Sequence, residues 1–94
     1  MKFIPKPNSA ILKVKKIYKT ELNEKGKKIP MVDGEGNRMY DLQDFYIEES
    51  AIEGVKKGKK AIVIINGGVP IKDIETDTHV FLVIDAEDIY AVQV

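Results

Sequence analysis

The 94-residue chain contains no cysteine, no tryptophan, a single histidine and only three phenylalanines and four tyrosines. Without cysteine there is no disulfide framework, no thiolate metal site and no cysteine nucleophile. The one histidine, His79, has no second ligand type at metal spacing and reads as a surface or hydrogen-bonded residue. Ser9 and Ser50 stand in no nucleophile-elbow context. Gly67-Gly68 is followed by neither a helix pattern nor a Gly-Lys-Ser/Thr element, so it is no phosphate cradle. Asp85, Glu87 and Asp88 fall short of an EF-hand loop and read as a capped helical turn. The expectation is a non-enzymatic protein with no catalytic residue, no cofactor and no metal. No apolar run reaches the length of a membrane span, and residues 1–7 lack the apolar core of a secretory signal, so a cytoplasmic location without membrane contact is expected.

What is present is charge, balanced in total and segregated along the chain. Fifteen basic and fifteen acidic side chains cancel. Residues 1–30 nevertheless carry nine lysines against two glutamates, and residues 31–55 carry Arg38 against seven carboxylates. Lys56-Lys57 and Lys59-Lys60 follow, and residues 61–94 hold Lys72 against six carboxylates. Solvated faces account for such runs, and so does a molecule whose one edge meets the opposite edge of a second copy.

The length allows one domain, residues 1–94. Ala10 to Tyr18 alternates Leu12 and Val14 with Lys13 and Lys15, the period of a half-buried strand. Thr20 to Arg38 then shows no period, with three glycines, one proline and eight charged residues around an apolar island, Ile29-Pro30-Met31-Val32. Such a stretch is longer than an ordinary connection. Met39 to Ile47 is strand-like with a change of phase that places a bulge near Gln43-Asp44. Glu48 to Gly58 is a polar connector, and Ala61 to Ile65 a short apolar strand. Asn66-Gly67-Gly68 predicts a tight turn, with Val69 to Ile71 returning. Val80 to Ile84 and Ile89 to Val94 complete an all-β pattern, that of a small barrel or sandwich.

Three segments also resemble a known family. Val55-Lys56-Lys57-Gly58, then Asn66-Gly67-Gly68-Val69-Pro70-Ile71-Lys72, is similar to the V-K-x-G-D…Y-G-G-x-x-[IV]-K stretch of GroES-type co-chaperonins, the 10 kDa chaperonin family. Phe81 to Val92 resembles that family's Y-L-I-x-x-E-x-D-I-L-A-V, with Asp88, Ile89 and Ala91 in matching places. Ile4-Pro5 and Ala10-Ile11-Leu12-Lys13-Val14 fall at the offsets of its N-terminal motif. The departures are Lys59 for the motif's Asp, Asn66 for its Tyr, Lys6-Pro7-Asn8-Ser9 for its N-terminal L-x-D-R, a longer loop from Lys72 to Val80, and a middle region, Ile17 to Gly54, that matches hardly at all. The resemblance is that of a divergent or phage-encoded member.

It implies a small GroES-like β-barrel subunit in a homo-oligomeric, heptameric ring that caps a GroEL-type chaperonin and so assists protein folding. Residues 20–38 would be the mobile loop after the first strand, binding the chaperonin through Ile29, Pro30, Met31 and Val32. Phe3, Ile4 and Pro5 of one subunit would meet Ile89, Ala91 and Val92 of the next. Both chain ends read as short apolar strands, which could instead pair within one chain. Ile29 and Met31 could likewise anchor the loop onto the body. The competing functions are a small β-barrel nucleic-acid-binding module, using the basic N-terminal third, and a structural assembly subunit. Nucleic acid is the less expected partner, because the aromatic residues are not interleaved with the lysines.

Overall fold

A computed structural model of the chain describes residues 3–64 and 68–94. The central element is β1 (Ser9–Tyr18), whose period-two pattern puts Ala10, Leu12 and Val14 on a fully buried face. It is flanked on both sides by antiparallel partners, β4 (Tyr40–Ser50) and β7 (His79–Asp85). The short β6 (Val69–Pro70) adds to β7, giving the order β4-β1-β7-β6. A second pair, β5 (Ala61–Val63) with β8 (Ile89–Val92), packs on the same core, and a Tyr46–Lys60 bridge ties it to β4. Ile47, Ala61, Val80, Leu82 and Ile84 complete the buried set, with Phe45, Val55 and Ile89 packed against it. The fold is all-β. Among the described residues its hydrogen bonding leaves three separate sheets and no closed barrel. No helix is long and apolar enough to cross a membrane among those residues.

The bulge expected in the second long strand is present. Pairing of β1 with β4 shifts between Lys13–Tyr46 and Lys15–Gln43, and Asp44 adopts φ +59° there. The inserted residue lets Leu42 and Phe45, three positions apart, both turn toward the core, which accounts for the change of phase. A second register shift lies between Ile11 and Leu12, and β4 runs on to Ser50, three residues into the expected connector.

Four expectations are corrected. Residues 20–38 are not irregular: they contain β2 (Thr20–Leu22) and β3 (Lys28–Pro30), paired as a hairpin, and a second small hairpin closed by a Val32–Arg38 bridge. Among the described residues, the apolar runs on either side of the Gly-rich segment do not pair with each other. β5 pairs with β8 and β6 with β7; Ile65, Asn66 and Gly67 lie outside the described residues. Phe3 to Asn8 is not a strand, because Pro5 and Pro7 deny it two donors and its apolar side chains lie along the outer face of the sheet. Asp85 precedes a 3-10 turn, Ala86–Asp88, but its side chain makes no capping hydrogen bond.

Candidate functional site

Residues 19–39 form an arm of two hairpins beyond the end of β1. Its base is a ring of three backbone hydrogen bonds. Lys19 N–H donates to Met39 C=O (3.0 Å), Met39 N–H to Met31 C=O (2.9 Å) and Met31 N–H to Lys19 C=O (3.1 Å). Two hairpins branch from this node. The longer continues β1 as β2-β3, and the shorter spans Val32 to Arg38.

Both hairpins turn by the same device. Asn23 Oδ1 accepts from the Lys25 and Lys27 N–H groups at 2.9 Å each, and Gly26 takes φ +74°. Asp33 Oδ1 accepts from Glu35 at 2.9 Å and Asn37 at 3.0 Å, and Gly36 takes φ +85°. Asn and Asp favour this role because their short side chains reach backbone amides two residues on, and glycine occupies the left-handed position without strain. The backbone N–H groups of Asn37 and Glu35 hold the Asp33 carboxyl below its ordinary value of 3.8. The signal was in the sequence as Asn23-x-x-Gly26 and Asp33-x-x-Gly36, ten residues apart.

The apolar island lies between these turns. Ile29 stands opposite Glu21 and Pro30 opposite Thr20. Ile29 and Met31 are half-buried, whereas Pro30 and Val32 are exposed, Val32 to 54%. The four residues therefore alternate in burial. Leu22, 67% exposed on β2, is a further apolar residue of the arm that the island motif did not include.

At the root of the arm, side chains from distant segments meet. The Tyr18 and Tyr40 rings are edge to face, with centroids 5.7 Å apart. The Arg38 guanidinium lies over the Tyr18 ring at 4.3 Å, and Lys16 Nζ over the Tyr40 ring at 4.9 Å. Tyr18 Oη donates to the Asp77 carbonyl at 2.6 Å. Lys16, with only 6% of its side chain exposed, is paired at 2.9 Å with Glu75. Burial pulls the Lys16 ammonium down, but the hydrogen bond and charge of Glu75 outweigh it and raise Lys16 above its ordinary 10.5. No periodicity links Lys16, Arg38 and Glu75, so sequence reasoning did not find this cluster.

The expected interface residues do not come together within the chain. Phe3 and Pro5 are half-buried along the outer sheet face, where Phe3 lines a cavity with Ile11, Ile74 and Phe81. Ile4 is 85% exposed. Ile89 packs on the core, Val92 is half-buried opposite Ala61, and Ala91 is exposed opposite Ile62. The other edge of β8 has no strand partner among the described residues. The histidine is half-buried, its Nδ1 2.8 Å from Thr78 Oγ1. Comparison with protein families, with curated proteins and with solved structures returns no match to this chain.

Proposed function

We propose that the protein is a co-chaperonin subunit that assembles with copies of itself into a ring and docks on a chaperonin through its arm. The observation that carries this reading is the arm itself, which holds Ile29 to Val32 between two turns that are closed by their own side chains. Its position directly after the first long strand is where the resemblance to GroES-type proteins expects the docking segment. The edge of β8 that has no strand partner among the described residues supports the self-assembling part of the reading, in which GroES-like barrel subunits meet through Phe3–Pro5 of one and β8 of the next.

The energetics favour a weak contact made many times. Burying three aliphatic side chains of the island yields about 1.5–3 kcal/mol each. Ordering a free loop costs roughly 1–2 kcal/mol for each immobilised residue, which would offset most of that gain. The node and the twin turns reduce this cost by ordering the backbone beforehand. One arm then binds weakly, and a ring of linked arms binds tightly through effective concentration. Simultaneous weakening of every contact releases the ring.

Replacing Ile29 and Met31 together with serine tests the reading. Circular dichroism and particle mass should stay unchanged while capture of a GroEL-type chaperonin in the presence of ATP is lost. Undiminished capture would remove the arm from the interface, and an unfolded or dissociated protein would assign both residues to the body.

A further inference from the structure

A cavity at the root of the arm is bordered partly by the arm's small hairpin and partly by β1 and the segment around Lys72. Lys16, Tyr18, Asp33, Asn37, Arg38, Tyr40, Lys72 and Glu75 border one open polar cavity of about 530 Å³. Three cations face two carboxylates there, and the carboxylates are already engaged. Glu75 is paired with Lys16, and Asp33 Oδ1 accepts two backbone N–H groups of its own turn. Arg38 and Lys72 have no ion-pair partner among the described residues.

Arg38 is held in place from behind. Its guanidinium stacks on Tyr18, and Tyr18 is fixed by its bond to the Asp77 carbonyl and by its contact with Tyr40. Stacking occupies the π-face of a guanidinium and leaves its N–H edge available for a second, in-plane partner. Lys72 belongs to the 3-10 turn Lys72–Ile74, which precedes Glu75, so the Lys16–Glu75 pair ties that segment to β1. The cavity thus presents a preset fork and a flexible ammonium that form no ion pair among the described residues. We infer that it binds an oxyanion with several acceptor oxygens, a phosphate or a carboxylate cluster, between Arg38 and Lys72.

The test is a titration of the whole protein, followed by NMR at the Tyr18 ring, the Arg38 Nε–H and the Lys72 ammonium. The probes are sodium pyrophosphate and a tetraglutamate peptide, with sodium chloride at matched ionic strength as the control. Saturable shifts at all three groups with either probe are expected, and the tighter probe tells a phosphate source from an acidic-peptide source. Arg38→Ala should weaken binding about tenfold, and Lys72→Ala about fivefold, as losses of a charge-assisted fork and of one exposed charge. Arg38→Lys should recover only part of the loss, which separates fork recognition from charge alone. Amide shifts of Val32 and Asn37 report whether the small hairpin survives each change. Shifts that follow ionic strength without saturating, or binding unaffected in the Arg38→Ala/Lys72→Ala double variant with the hairpin intact, would overturn the assignment.

Discussion

Asp33 and Asn23 perform the same task with different chemistry, and pH separates them. The Asp33 carboxyl is held below 3.8 in the folded chain, so its bonds to Glu35 and Asn37 stabilise the small hairpin at neutral pH. That contribution is complete above the unfolded value and is lost as pH falls through the lower folded value. Acidification below 3.8 should therefore shift the Glu35 and Asn37 amide resonances along one titration curve, while the Lys25 and Lys27 amides, bonded to the uncharged Asn23, do not follow it. Lys16 gives the opposite sign. Its stabilisation is present below 10.5 and is lost as pH rises above that value. Glu75→Gln leaves a nearly buried ammonium without its counter-charge. With Glu75 itself partly solvated, urea titration should show a loss of about 1–2 kcal/mol. The Lys16 ammonium should then titrate lower than in the parent chain, because the hydrogen bond and charge of Glu75 no longer oppose its burial.

The long strands were legible in the sequence because a core face imposes its period on the residues. Leu12 and Val14 alternate with lysines, Val80, Leu82 and Ile84 alternate with half-buried neighbours, and the phase change at Gln43-Asp44 marks a bulge. The arm was not legible in that way, since β2 is exposed throughout and β3 half-buries only Ile29. Its order comes from side-chain-to-backbone bonds at Asn23 and Asp33, a signal that lies in turn chemistry. Strand pairing was legible only in part. Nothing local says that β5 prefers β8 to β6, because that choice depends on what completes the core around Ala61 and Ile89. The root cluster was hidden for a similar reason, joining residues 59 apart in Lys16 and Glu75. Gly26→Ala and Gly36→Ala each force a side chain into the left-handed region, at about 1–2 kcal/mol. Each should raise amide exchange in its own hairpin and leave the other unchanged, as two branches of one node require.

The whole molecule is elongated, with extents of 53 × 27 × 19 Å and a radius of gyration of 15.5 Å, against about 13 Å for a compact chain near this length. One edge of β8 has no strand partner among the described residues, and the proposed ring would cover it. Light scattering at micromolar concentration should therefore report a multiple of the 10.6 kDa chain mass. A mass of one chain across the whole concentration range would remove the ring from the proposed function and leave the arm to be explained alone. The three-bond node carries a separate consequence for engineering and for divergence. Because each branch closes through its own tip, residues spliced at Glu24-Lys25 should break the Asn23 turn and leave the Asp33 turn in place. The junction, closed by backbone bonds alone, thereby sets the direction of both fingers whatever residues their tips carry.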